Sequence, residues 1–171
     1  GRMRLVPGTR GSILLDDTYN ASPASTMAAL AVLGELRANR KLAILGDMLE
    51  IGEESVKRHR ELAESVAFSG AELVILVGHR MKHLFDELIG RGFSRQYLFW
   101  FERSSEAALF AENVARDGDL ILVKGSQGMR MERVSEKLLF DPVEAPYFLC
   151  RQSPEWEAKP FVSPGEWDIH P

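Results

Sequence analysis

The sequence predicts an α/β fold: a mostly parallel sheet with helices on both faces, an N-terminal β-hairpin and an extended C-terminal tail. Three observations predict it. Short apolar runs alternate with stretches of helical spacing at intervals of about 25–30 residues, the signature of βαβ units with right-handed crossovers. Leu73-Val74-Ile75-Leu76-Val77 is apolar throughout, as burial on both faces of a parallel sheet demands. Beyond Phe140 the alternation stops, and six of the eight prolines lie there.

Taken in order, Arg4–Pro7, Gly8–Gly11 and Ser12–Asp16 read as strand, turn and strand, a hairpin. Ser22 is placed to cap a helix and Pro23 suits its first turn, where a missing N–H costs nothing. Met27, Leu30, Leu33 and Leu36 mark one face of that helix, which is expected to run to about Asn39. Leu42–Gly46 is a short buried strand. Ser55 is expected to cap a helix with Val56, Leu62, Ala63 and Val66 on its apolar face and Gly70 at its end. Then come the Leu73–Gly78 strand, a helix on Met81, Leu84, Phe85 and Leu88, and a strand at Leu98–Phe101. A helix opening at Ser104 or Ser105 carries Ala107, Phe110, Ala111 and Val114. The last strand, Asp119–Val123, runs into Lys124–Gly128 and a helix on Met131, Val134 and Leu138. Residues 1–139 therefore form the domain and 140–171 a Pro/aromatic-rich tail, either disordered or laid across the domain and held by its aromatics.

Composition narrows the function. The 171 residues are 45% hydrophobic and 27% charged, the balance of a soluble globular domain. A net charge of −4 gives no reason to expect nucleic acid or an anionic membrane as partner. No apolar run approaches the roughly 18–20 residues that span a bilayer. The single cysteine, Cys150, forms no internal disulfide, which fits a cytoplasmic location. Gly1-Arg2-Met3-Arg4 lacks an initiator Met and leads into no signal-peptide core, so the chain is expected to be a fragment of something longer.

Three polar loops follow three strands: Asp16–Ser22, Gly46–Glu54 and Lys124–Arg130. In a parallel sheet all three lie on the edge where ligands bind. A carboxylate in the first loop can accept both hydroxyls of a ribose, and Tyr19 or Asn20 can hold a base. The plainer reading is that Asp16, Thr18, Asn20 and Ser22 satisfy turn backbone. Lys124–Gly128 can cradle an anion, yet neither G-x-x-x-x-G-K-[ST] nor G-x-G-x-x-G occurs, so only part of a nucleotide site is encoded. Asp47 and Glu50 are two acids without a further ligand pattern, which does not make a magnesium site. Asp47 reads as a solvated loop residue and Leu49 as a core plug. His59 reads as a hydrogen-bonded core residue, and His79 and His83 as surface residues.

Four blocks in order carry a resemblance: Gly1-Arg2-Met3, Asp16-Asp17-Thr18-Tyr19-Asn20-Ala21-Ser22-Pro23, Leu45-Gly46-Asp47-Met48-Leu49-Glu50-Ile51-Gly52, and Val123-Lys124-Gly125-Ser126-Gln127-Gly128-Met129-Arg130-Met131-Glu132. Over about residues 1–139 the chain resembles the C-terminal domain of the Mur ligases. The second and third blocks are similar to the type that adds D-alanyl-D-alanine to UDP-N-acetylmuramoyl-tripeptide. The resemblance implies a Rossmann-like domain, the third of a three-domain cytoplasmic enzyme of peptidoglycan synthesis. The N-terminal domain holds the UDP-sugar, and the central domain carries the P-loop and most of the Mg2+ site. The third domain closes over ATP and brings in the dipeptide, and alone it is expected to be inactive.

Carried over residue by residue, Arg2 corresponds to an arginine that reaches the ATP phosphates. Asp17 corresponds to an aspartate that holds the ribose hydroxyls, and Tyr19 and Asn20 to positions beside the adenine. Asp47, Met48, Leu49 and Glu50, with Lys124, Ser126 and Arg130, correspond to loops lining the dipeptide's pocket. No catalytic residue or metal ligand is implied within this chain. Asp17→Ala is expected to weaken ATP use and leave folding intact. The alternative is a stand-alone, non-catalytic nucleotide-binding or interaction module; a small methyltransferase is disfavoured because no glycine-rich turn follows an early strand.

Overall fold

The computed structural model describes residues 3–161. Its centre is a six-stranded sheet: β1 (Arg4–Pro7), β2 (Ile13–Asp17), β3 (Arg40–Gly46), β4 (Leu73–Val77), β5 (Leu98–Phe101) and β6 (Asp119–Lys124). The strand order is β1-β2-β6-β3-β4-β5, with β1 antiparallel to β2 and every other pair parallel. The expected hairpin and parallel sheet are both present. The Gly8–Ser12 turn closes the hairpin, with the Gly8 N–H donating to the Ser12 carbonyl at 2.8 Å.

Helices α1 (Pro23–Glu35), α2 (Ser55–Phe68) and α3 (Met81–Gly90) bury one face of the sheet. Leu30, Leu33, Leu62, Val66, Leu84 and Leu88 pack there against Leu15, Leu45 and Leu76. Helices α4 (Ser104–Val114) and α5 (Glu132–Leu138) bury the other, with Ala107, Ala111, Val134 and Leu138 against Leu14, Ile44 and Ile121. A strand's period of two sends alternate residues to opposite faces. Leu14 and Leu15 therefore serve different cores, and so, as described below, do Asp16 and Asp17.

Capping follows the sequence at α1. The Ser22 hydroxyl accepts from the Ser25 N–H at 3.2 Å and the Ser25 hydroxyl accepts from the Ser22 N–H at 2.9 Å, with Pro23 in the first turn. The helix ends at Glu35, four residues short of expectation. Arg40 joins β3 instead, its guanidinium holding Asp119 at 2.8 and 2.6 Å, and the Asn39 N–H donates to the Gly118 carbonyl. Met27 and Val56, placed on apolar faces by spacing, are exposed; a 3-10 turn over Gly52–Glu54 precedes α2, and Glu54 rather than Ser55 is its cap residue.

The segment after Phe140 is laid across the domain as far as it is described. Two short helices, α6 (Ala145–Phe148) and α7 (Pro154–Glu157), interrupt it. Ala145 and Leu149 join the core on the α4 and α5 side of the sheet, and the partly buried Phe148 and Phe161 pack against it, whereas Tyr147 is exposed. Trp167 lies outside the described residues.

Candidate functional site

The sheet order sets β6 between β2 and β3. From the end of β2 the chain turns to the α1 face, and from the end of β6 to the α5 face. Loops that part in opposite directions open a crevice at the carboxyl ends of the strands. All three polar loops meet there. A cavity of about 650 Å3 elsewhere, lined by Arg40, Leu73, Tyr97, Phe110 and Arg116 among others, takes no residue from these loops.

Asp17 and Lys124 are register partners on β2 and β6, and their side chains form an ion pair at 2.6 Å. The Lys124 side chain is only 2% exposed and that of Asp17 12%. The other Asp17 oxygen accepts from the Met3 N–H at 3.2 Å. A carboxylate offers about four acceptor positions, of which these contacts use two. Asp16 points the other way. It is wholly buried, accepts from the Ser135 and Thr18 hydroxyls at 2.6 and 3.0 Å, and leaves Oδ2 without a hydrogen bond. Burial raises its pKa, and of the two adjacent acids only Asp17 faces the crevice.

The loop between β2 and α1 is held in an unusual manner. Four successive backbone carbonyls, Thr18 to Ala21, are each engaged by a side chain from elsewhere in the chain. Arg151 donates to Thr18 at 3.0 Å and also to Tyr19. Lys124 donates to Asn20 at 2.9 Å and the Ser126 hydroxyl to Ala21 at 3.2 Å. Backbone carbonyls need partners when secondary structure does not supply them, and here three side chains impose the loop's shape. Tyr19 is 52% exposed and projects from this fixed base, whereas the exposed Asn20 turns its Oδ1 to the Gln127 N–H at 3.4 Å.

Ser126 also ties in the second loop. Its hydroxyl accepts from the Leu49 N–H at 2.8 Å and its own N–H donates to the Asp47 carbonyl at 3.1 Å. Asp47 is buried rather than solvated. Its oxygens accept from the Met81 N–H at 2.8 Å and the Arg80 N–H at 3.2 Å, donors at the start of α3 that have no intrahelical acceptor. Burial nevertheless pushes its pKa up to about 6. His59 is a buried core residue whose Nε2 accepts from the Met48 N–H at 3.1 Å and whose Nδ1 sits 2.7 Å from the Ser55 carbonyl. That pattern requires the neutral ring protonated on Nδ1, and burial lowers its pKa to about 4.

A second charged cluster flanks the third loop. Arg130, in left-handed backbone at φ 54°, pairs with the buried Glu132 and donates to the Lys159 carbonyl at 2.7 Å. Arg151 lies 3.8 Å from the other Glu132 oxygen and 5.4 Å from the Trp156 ring, which also carries Arg130 at 5.8 Å and Lys159 at 3.6 Å.

The residues singled out from sequence thus divide. Asp17, Lys124 and Ser126 converge within direct hydrogen-bonding reach of the loop that carries Tyr19 and Asn20. Met48 and Leu49 are core residues, and Asp47, Lys124, Ser126 and Arg130 spend their side chains on internal partners. Glu50 is the exposed side chain among residues 47–50. Arg2 lies outside the described residues. Asp17→Ala would strand a buried ammonium, so the expectation that this change spares folding is corrected by the Lys124 contact. Arg151, which holds the Thr18 and Tyr19 carbonyls, is not marked by any sequence signal, because the tail shows no periodicity. No group of three or more His, Cys, Asp or Glu placed to hold a metal occurs among the described residues.

Close backbone approach is needed where β3 and β6 end. A Cβ added at Gly125 would lie 2.5 Å from Met131 Cγ and 3.1 Å from the Gly46 Cα. Gly125→Ala should therefore cost about 1–3 kcal/mol through overpacking and shift Ser126 off its partners; a Tm unchanged within about 1 °C would contradict this tight fit.

The family described as "Mur ligase, glutamate ligase domain" matches residues 1–127. A UDP-N-acetylmuramoyl-tripeptide–D-alanyl-D-alanine ligase of Rickettsia prowazekii (strain Madrid E) is 33% identical over 134 residues, covering 78% of this chain and 29% of that protein. The Escherichia coli (strain K12) protein of the same name is 32% identical over 139 residues, covering 81% and 29%. Among solved structures, MurF ligase from Thermotoga maritima in complex with ADP superposes with a TM-score of 0.66 at 25% identity, covering 86% of this chain and 31% of that one. The chain spans less than a third of the length of these relatives.

Proposed function

The chain belongs to the Mur ligase family, and on that premise we propose that it is the C-terminal domain of an ATP-dependent ligase joining D-alanyl-D-alanine to UDP-N-acetylmuramoyl-tripeptide. The observation that carries this reading is the convergence of Asp17, the Tyr19–Asn20 loop and the Ser126 staple at one crevice of the sheet. The relatives named above bear that activity in their names, and the Thermotoga maritima structure holds ADP.

In such a reaction the tripeptide carboxylate takes a phosphoryl group from ATP, and the dipeptide amine then displaces phosphate to form the amide. This domain's part is binding and water exclusion. Asp17 has two acceptor positions free for the hydroxyls of a ribose. The Tyr19 ring offers an exposed face beside them for a base, its other side being 5.2 Å from the Arg151 guanidinium. Glu50 is the charged group that the second loop presents outward, suited to an ammonium. Asp47, Met48, Leu49, Lys124, Ser126 and Arg130 shape the dipeptide's pocket through backbone and packing, since their side chains are engaged elsewhere. Arg2 is assigned to the phosphates by resemblance alone. Mg2+ and the P-loop belong to the central domain. Closing a mobile domain over the nucleotide excludes water from an acyl phosphate that water would otherwise destroy.

Two measurements test the reading. In the full-length protein, phosphate release should require ATP, UDP-N-acetylmuramoyl-tripeptide and D-alanyl-D-alanine together; release without the dipeptide, or with none of that product formed, would contradict it. The 171-residue chain alone, titrated calorimetrically with ATP, should give no saturable heat at micromolar nucleotide, because most phosphate contacts are missing. Micromolar binding by the chain alone would instead favour an independent nucleotide-binding module.

A further inference from the structure

We propose that Arg151, in the segment beyond the family match, is a positioning residue that holds the nucleotide-binding loop in shape and ties it to the loop after β6. The proposal rests on the reading that the Thr18–Asn20 loop contacts the nucleotide. The guanidinium takes two consecutive carbonyls, Thr18 at 3.0 Å and Tyr19, so it fixes the peptide plane between them, from which the Tyr19 ring projects. Its charge faces the Tyr19 ring at 5.2 Å on one side and the Trp156 ring at 5.4 Å on another. Glu132 approaches it at 3.8 Å and binds Arg130 with its other oxygen.

The side chain is only 4% exposed, and the residue adopts left-handed backbone at φ 58°. An arginine persists there only where its surroundings over-determine it. Lys124 and Ser126 hold the two carbonyls that follow, Asn20 and Ala21. Without Arg151 the clamp would lack the half nearest Tyr19. A planar fork is needed to reach two adjacent carbonyls, which a lysine's single amine cannot reproduce.

The test uses the full-length ligase with Arg151→Ala and Arg151→Lys, reading steady-state kinetics and amide hydrogen exchange over residues 18–21. Arg151→Ala should raise the ATP KM by about tenfold while kcat at saturating ATP falls by less than about threefold and the UDP-tripeptide KM holds. Exchange over 18–21 should accelerate by about tenfold or more, with Leu14 and Leu15 of β2 unchanged. Arg151→Lys should fall between, raising the ATP KM by about threefold, and it carries the test alone if the alanine variant does not fold. An unchanged ATP KM in the folded variant overturns the proposal. So does a loss of kcat with every KM unchanged. Asp17→Asn in the same assay separates the two readings. If it raises the ATP KM and the Arg151 variants do not, the nucleotide assignment stands and the role of Arg151 falls; if neither raises it, both fall.

Discussion

Asp17→Ala is expected to destabilise the domain by about 3–5 kcal/mol, because it leaves the Lys124 ammonium buried without its counter-charge. In a chain of this size that is a fall in Tm of roughly 6–20 °C. Lys124→Met should cost less, since the carboxylate it leaves behind keeps the Met3 N–H and some exposure to water. The double variant Asp17→Ala/Lys124→Met should be more stable than Asp17→Ala alone, with a coupling energy of about 2 kcal/mol or more in the cycle. Thermal melts of the four proteins check this. Additive effects, or an Asp17→Ala melt within about 2 °C of the parent, would contradict the buried pair. The same contact makes Asp17→Asn, which keeps an acceptor oxygen beside Lys124, the better variant for asking about nucleotide binding.

The second large effect is in the pH dependence of stability, where two neighbouring groups oppose each other. Asp47 has a folded pKa of about 6 against an ordinary 3.8. The fold thus favours its neutral form, and stability present below about pH 4 is lost as pH rises to 6. His59 has a folded pKa of about 4 against an ordinary 6.5. The fold favours its neutral form too, but for a base this stability is present above pH 6.5 and lost as pH falls to 4. Each swing is worth about 3 kcal/mol at roughly 1.4 kcal/mol per unit of pKa, and across pH 4–6 the two nearly cancel. Asp47→Asn should expose the His59 dependence, making the domain progressively less stable than its parent on acidification from 6.5 to 4. His59→Gln should expose the reverse, a domain that gains on its parent as pH falls from 6 to 4. Denaturant midpoints measured across pH 4–7 check both; parallel profiles for all three proteins would contradict these assignments. The physical root is burial, which disfavours the charged form of both groups; at His59 the Met48 N–H also has an unprotonated Nε2 opposite it.

Much of this architecture is legible in the sequence. The apolar runs at 42–46, 73–77 and 119–123 could only be buried strands, and Ser22-Pro23 declares the start of α1. Parallel strands then force the three polar loops to one edge. The role of each polar side chain is not legible in the same way. Asp47 looks like a solvated loop residue until α3 is seen to begin against it, 33 to 34 residues further along. Lys124 looks like an anion ligand until its partner, 107 residues away, is known. Periodicity reports which face of an element is apolar; it says nothing about which distant backbone groups lack partners. Arg151 is the extreme case, acting 133 residues from the carbonyl it holds, in a segment with no repeating pattern.

The most direct test of the nucleotide assignment is photolabelling of the full-length protein by 8-azido-ATP in the presence of UDP-N-acetylmuramoyl-tripeptide, followed by peptide mapping. Label should appear on the peptide containing Tyr19 and Asn20 and be competed away by ATP. Competed label confined to the other domains, with none on this loop, would contradict the assignment.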